Sequence, residues 1–191
     1  MGKKLEKKEA IVEAALRLFC TEGFQGTSTA KISKEAGVAT GTLFLYFKSK
    51  DELINKLYIE AKRRMFEAIT KGLDSNWPVC EQFEHLWTNL AMWAEKDFWA
   101  FKFANQYKYS PYIDKLSQEE VAESFAFAQN LIAKAEEEDL FGPLPTEFYM
   151  KLFFTVLVES VGYIVSEKLK GEEKERFVKN AFEAAWKSIS K

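Results

Sequence analysis

Residues 23–53 read GFQGTSTAKISKEAGVATGTLFLYFKSKDEL, and the spacing of turn and apolar residues in this stretch decides the fold. Ser28 precedes a short helical pattern, about Thr29–Ala36, at the place where a hydroxyl takes up a free backbone N–H. Within that pattern Ile32 and Ala36 fall on one inward face. Gly37 stops the helix, Val38 sits in the turn as an apolar plug, and a second short helix runs from about Thr40 to Phe47. A helix, a glycine turn and a short helix at this spacing read as a helix-turn-helix. Leu43 and Phe47, four residues apart, face the core of that unit, which leaves Thr40, Gly41, Thr42 and Leu45 outward with Phe44 at their flank.

That outward face is small and neutral where the second helix starts. Bulky or acidic groups there would keep a helix out of a DNA major groove about 12 Å wide. Thr40 and Thr42 can hydrogen-bond base edges or touch a thymine methyl, and Phe44 and Leu45 can make apolar contacts of the same kind. Groups suited to phosphate lie around the face. Ser28 and Thr29 offer hydroxyls and free N–H groups at a helix N-terminus, Tyr46 offers a phenol, and Lys48 and Lys50 supply charge. Net charge is only −2, but it is divided unevenly: residues 1–64 hold 13 Lys/Arg against 8 Asp/Glu, the remainder 14 against 21. A basic end of this kind suits a polyanion. The lysines at the very start, Lys3, Lys4, Lys7 and Lys8, read equally well as a steering patch and as a solvated helix end.

Working outward, periodicity is helical nearly throughout. Ile11, Ala15, Leu18 and Phe19 form one stripe on a helix from about Leu5 to Glu22, ended by Gly23. A long helix opens at Asp51 and Glu52 and runs to about Lys71. Pro78 suits the first turn of the next, with the stripe Phe83, Leu86, Trp87, Leu90 and Ala94. A dense aromatic segment, Phe98–Tyr112, follows. Ser117 with Glu120 reads as a capping box for a helix ending near Glu138. Two more helices, about Thr146–Leu169 and Glu172–Ser190, close the chain. The expected fold is all-α, about nine helices, with an N-terminal three-helix DNA-binding domain at 1–50 and a larger helical ligand-binding and dimerisation domain at 51–191.

The stretch Gly23–Ser28, then Ile32–Val38, then Gly41–Leu53 resembles the tetracycline-repressor (TetR) family of transcription regulators. The likeness covers about the first third of the chain. It departs at Ala39, where a serine often caps the recognition helix and Thr40 would have to serve, and at Leu45, where a polar or aromatic residue is common. The resemblance implies a homodimer, paired through the two C-terminal helices as a four-helix bundle. It further implies recognition helices in successive major grooves of a near-palindromic operator and an effector in the larger domain that alters their separation. The residues support the dimer on their own account through Ser160 and Gly162, which allow close approach, and through Phe177, Val178, Ala181, Phe182, Ala185 and Ile189; ordinary packing within the chain is the alternative.

Aromatic residues at the density of 77–112 can line an apolar pocket, and can equally be plain core. Helical phase names Trp87, Leu90, Phe103, Tyr107, Phe125, Gln129 and Phe153 as the lining for a small lipophilic, aromatic or acyl effector. Gln129 interrupts an apolar stripe and would orient the ligand or sit at the stripe's edge. Glu159, inside an apolar helix, would pair with a cationic ligand, form a salt bridge or face solvent. No catalytic constellation is present. His85 is the single histidine, Cys80 lies five residues before it at no established metal or nucleophile spacing, and no phosphate-cradling glycine loop occurs, so neither an enzyme, a metal nor a cofactor is expected. Cys20 and Cys80 make no disulfide framework and fit a cytoplasmic protein. No stretch reads as long and apolar enough to span a bilayer, so no membrane partner is expected. The sign of regulation stays open between repressor and activator, and a helical adaptor that never touches DNA is the rival reading.

Overall fold

The structure, a computed structural model, describes residues 2–124 and 126–191, with side chains from Leu5 onward apart from residues 116 and 123–125. Ten helices follow in order: α1 Gly2–Gly26, α2 Thr29–Glu35, α3 Thr40–Tyr46, α4 Lys50–Thr70, α5 Val79–Lys96, α6 Phe98–Gln106, α7 Lys115–Ser124, α8 Ala126–Glu137, α9 Thr146–Glu167 and α10 Gly171–Ile189. The all-α expectation holds: the described residues contain no strand, only an isolated bridge between Phe141 and Ser190. The stretch read as one helix from Ser117 falls on α7 and α8, which flank residue 125. The capping role given to Ser117 belongs instead to Asp114, whose Oδ1 accepts the Ser117 N–H at 2.7 Å while Ser117 itself is buried.

The chain forms two compact units, Met1–Arg64 with Asp97–Glu123, and Met65–Lys96 with Ser124–Lys191. In the first, Ile11, Ala15, Leu18 and Phe19 of α1 are buried, as the apolar spacing requires, and so are Ile32, Leu43, Phe47, Leu53, Ile54 and Leu57. Gly23 interrupts α1 at φ 75°, ψ 172°, a conformation open to glycine and strained for other residues. Residues 97–123 join this unit through α6, whose Phe103 is wholly buried near Phe19 and Phe24. Arg64 ties three helical segments together: its Nη1 donates to Glu13 on α1 (3.0 Å) and to Asp97 before α6 (3.1 Å), and its Nε donates to Glu60 (3.0 Å). Hydrogen bonds from Arg63 and Arg64 hold the Glu60 carboxyl down at about 2, against the opposing effect of burial.

The second unit is built on α5, α9 and α10. Trp87 is its centre, 1% exposed, with its ring 4.9 Å from Phe153 and 5.9 Å from Phe182. Its indole N–H donates to the Val178 carbonyl at 3.1 Å, so the one polar atom of this buried ring is satisfied. α9 corrects one expectation. Its 22 residues include an 18-residue window of mean hydropathy 1.5, long and apolar enough to cross a membrane by length and composition alone. An uninterrupted apolar run is not needed for that, since Thr155, Glu159 and Ser160 are outweighed by their neighbours. A third of the window is buried inside the chain, by Phe153, Leu157, Val161 and Ile164 among others. Ser160, expected to allow close approach from outside, is turned inward and its hydroxyl donates to the Val156 carbonyl (2.7 Å); Gly162 does face outward.

Candidate nucleic-acid interface

The interface is assembled from α2, its turn and α3. Ser28 caps α2 as its position demands: it is extended (φ −92°, ψ 156°) and its Oγ accepts the Lys31 N–H at 3.1 Å. The other end of α2 closes by a pair of backbone bonds, Val38 N–H to Ser33 C=O (2.9 Å) and Gly37 N–H to Lys34 C=O (3.2 Å), around Gly37 at φ 66°. This is the Schellman arrangement, which needs a left-handed residue at the position of Gly37 and sets the direction in which the chain leaves for α3. Ala36, expected to face inward, is half-buried because it lies at the cap, beyond the last helical turn.

α3 begins after Ala39, which has no side-chain cap; Thr40 does not supply one and is simply the first, exposed residue of the helix. Leu43 and Phe47 are buried at 0% and 2% and pin the helix down. What remains outward is Thr40, Gly41, Phe44 and Leu45, with Thr42 and Tyr46 half-buried at the edges. Leu45 is 83% exposed and Phe44 44%. Gly41 has neither a left-handed φ nor a neighbour within 4 Å of the place a Cβ would occupy. Nothing inside the chain therefore requires glycine there, although glycine in a helix costs about 0.5–1 kcal/mol relative to alanine.

Among the residues expected to meet phosphate, Ser28 and Lys48 are exposed and Thr29 is half-buried. Lys50 is placed differently: it is half-buried and its Nζ donates to the Phe24 carbonyl, joining the first turn of α4 to the segment that precedes α2. The start of α4 is fixed by Ser49, whose Oγ accepts the Glu52 N–H (3.0 Å), while the Glu52 carboxylate accepts the Lys48 N–H. Arg17 pairs with Glu35 and Lys31 with Glu22, holding α1 against α2 at the surface.

Residues 11–57 match the family model for bacterial regulatory proteins of the tetR family, and residues 58–191 the tetracyclin repressor-like C-terminal domain. The chain belongs to the TetR family. It is a DNA-binding transcription regulator, and the family's members are regulators rather than enzymes, which sets aside the reading as an adaptor that never touches DNA. An uncharacterized helix-turn-helix regulator of Haemophilus influenzae is 32% identical over 108 residues, 56% of this chain and 58% of its own length. A fatty acid metabolism regulator protein of Bacillus subtilis is 33% identical over 73 residues, 38% of each chain. The match thus spans little more than half of the first of these curated relatives and under half of the second. The crystal structure of a chain assigned to the tetR family from Shewanella sp. PV-4 superposes with a TM-score of 0.79 at 29% identity, over 97% of this chain and 98% of that one.

For this TetR-family chain the residues named for an effector fall in both compact units. Trp87, Leu90 and Phe153 are buried in the second. Phe103 and Tyr107 are in the first, their rings 5.1 Å apart. Tyr107 stacks on Phe24 at 4.0 Å and donates its hydroxyl to the Phe19 carbonyl at 2.6 Å. Gln129 is exposed on α8, and Phe125 lies outside the described residues. Glu159 faces solvent on α9, in an open groove with Tyr163 and Phe177. His85 takes the structural role: its Nε2 is 2.9 Å from the Lys71 carbonyl at the end of α4. Burial pushes the Cys20 thiol up to about 12, so it stays protonated and unreactive at neutral pH.

Sequence reasoning missed Phe24, Asn55 and Tyr112. Asn55 donates to the Tyr112 carbonyl and accepts from the Asp114 N–H. No local pattern marks them in this role, because the partners that give it, Tyr107 and Tyr112 for Phe24 and Tyr112 and Asp114 for Asn55, lie more than fifty positions away along the chain.

Proposed function

We propose that the protein is a repressor that binds a near-palindromic operator as a homodimer and is released by a small lipophilic effector of the aromatic or acyl class. The observation that carries the reading is the outward face of α3. Thr40, Gly41, Thr42, Phe44 and Leu45 would meet bases, while Ser28, Thr29, Tyr46, Lys48 and Lys50 would serve phosphate or the placement of the turn. The dimer is supported by α9, an apolar helix only a third buried in its own chain, with Phe148 and Tyr163 about half exposed and Gly162 outward. Charged residues instead line much of the outer side of α10, and its Val178, Phe182, Ala185 and Ile189 pack within the chain. The effector class is supported by the aromatic content of α5, α6 and α9, with Trp87, Leu90 and Phe153 of the second unit as the lining, and by the likeness to a fatty acid metabolism regulator. α4 would carry the effector's signal by changing the separation of two recognition helices, which half-sites about one helical turn (~34 Å) apart demand. The working place of such a regulator is the cytoplasm.

The test is selection of bound duplexes from a random library, with the winner titrated at low and high salt. A near-palindromic winner whose affinity falls steeply with salt supports the dimeric reader. On that duplex Lys48→Ala lowers affinity across all sequences and reduces the salt slope by about one, whereas Thr42→Ala alters base preference. Selection of a single half-site by folded protein would refute the dimer. Lipophilic compounds that release the operator would establish the effector class, and a reporter that is silenced rather than induced would establish repression.

A further inference from the structure

We infer that residues 107–114, the segment linking α6 to α7, position the DNA-reading elements, and that Asn55 on α4 is the anchor that fixes their register. The inference rests on the reading of α2 and α3 as the operator surface of a dimer. Between the break of α1 at Gly23 and the cap of α2 at Ser28 the Thr27 hydroxyl donates to the Leu18 carbonyl (3.3 Å) and the Lys50 ammonium to the Phe24 carbonyl. Residues 107–114 add further contacts to this stretch. Phe24, 5% exposed, stacks on Tyr107 at 4.0 Å and meets the edge of Tyr112 at 5.1 Å. Tyr107 is itself tied to α1 by its bond to the Phe19 carbonyl, and Gln25 donates to the Tyr112 hydroxyl.

The same segment is held from the other side by α4. Asn55 donates through Nδ2 to the Tyr112 carbonyl (3.1 Å) and accepts through Oδ1 from the Asp114 N–H (2.8 Å). One amide thus reads an acceptor and a donor two residues apart, a match that a slip of the backbone would destroy at both ends. Asparagine is needed for this: an aspartate keeps the acceptor and repels the Tyr112 carbonyl, and an alanine has neither group. Residues 107–114 therefore bridge the turn before α2 to α4, the two flanks of the helix-turn-helix. They come from a part of the chain that follows the excursion of residues 65–96 into the other unit. Asn55 is half-buried and its side chain bonds Asp51, Tyr112 and Asp114, none of them on α3, so its action on DNA passes through the position of the turn.

The test uses the full-length protein and its selected operator, in a set of duplexes whose half-site spacing is changed by −1, 0, +1 and +2 base pairs. Wild type is expected to favour one spacing sharply, since rotation along DNA moves the second half-site off the recognition helix. Asn55 also donates to the Asp51 carbonyl of its own helix (3.0 Å), and loss of the two hydrogen bonds that reach residues 112 and 114 corresponds to about a tenfold change in an equilibrium constant. Asn55→Ala should lose about tenfold on the preferred spacing and much less on the others, flattening the profile. Tyr107→Phe keeps the ring on Phe24 and removes only the hydroxyl; it should flatten the profile in the same direction, and it carries the test if Asn55→Ala fails to fold. A variant that lowers binding by one factor at all spacings has merely lost active protein, and that result, like an unchanged profile, overturns the inference. If wild type shows no spacing preference at all, the dimeric reading fails and takes this inference with it.

Discussion

Replacing Gly41 by alanine sets stability and recognition against each other. Gly41 is the second residue of α3, its φ is outside the left-handed region, and an added Cβ would meet nothing within 4 Å. The fold therefore accepts the methyl, and removing the glycine's excess freedom in the unfolded chain should stabilise the protein by about 0.5–1 kcal/mol. In a chain of this size that raises the melting temperature by roughly 1–4 °C. On the proposed reading the same methyl projects from the face that would enter the groove. Overfilling a close-packed contact costs about 1–3 kcal/mol, or roughly five- to hundredfold in affinity. Thermal melting and gel-shift titration on one preparation read both effects. An operator affinity equal to wild type, at an unchanged or higher melting temperature, would refute the argument that Gly41 is kept small for DNA.

Gly37→Ala should act in the opposite sense on stability. At φ 66° a side chain is strained by about 1–2 kcal/mol, and urea unfolding should show it. Trp87→Phe leaves the Val178 carbonyl without its indole partner in a buried site and should lower stability by about 1–3 kcal/mol, read by the same method. Lys62 is 8% exposed beneath the Tyr58 ring, and burial, with Lys108 nearby, brings its ammonium down from 10.5 to about 8. Between pH 8 and 10.5 the unfolded chain then binds more protons at this site, so its contribution to stability rises with pH and its penalty is complete below pH 8. Lys62→Met should accordingly be more stable than wild type at pH 7, by about 1–3 kcal/mol, with the difference shrinking toward pH 10 in urea titrations. A constant difference across that range would contradict the assignment.

Most of the helix-turn-helix is legible in the amino-acid sequence. Ser28, Gly37, Leu43 and Phe47 act within a few residues of their own positions, and short-range rules of capping, left-handed turns and helical spacing govern them. The same rules were too coarse where two local roles were open: Asp114, three residues earlier, took the cap from Ser117, and the Ser160 hydroxyl bonded back to the Val156 carbonyl of its own helix. They failed outright at Lys50, whose partner, the Phe24 carbonyl, lies 26 residues away. The expected pocket lining is the clearest case. Helical phase correctly marked Trp87, Phe103 and Phe153 as inward, but inward is a direction along one helix and does not say which other helix lies there.

By itself, then, the sequence determined the all-α class, the recognition helix with its bare outward face, and the basic character of the N-terminal region. Each of these follows from periodicity, turn chemistry and charge, which are properties of neighbouring residues. Tertiary structure alone decided that residues 97–123 pack with the DNA-reading end, that Tyr107 lies on Phe24, and that Asn55 holds Tyr112 and Asp114. Such contacts join positions fifty to ninety residues apart. They depend on how amphipathic helices share their apolar faces, and a single helix's pattern admits many partners for that.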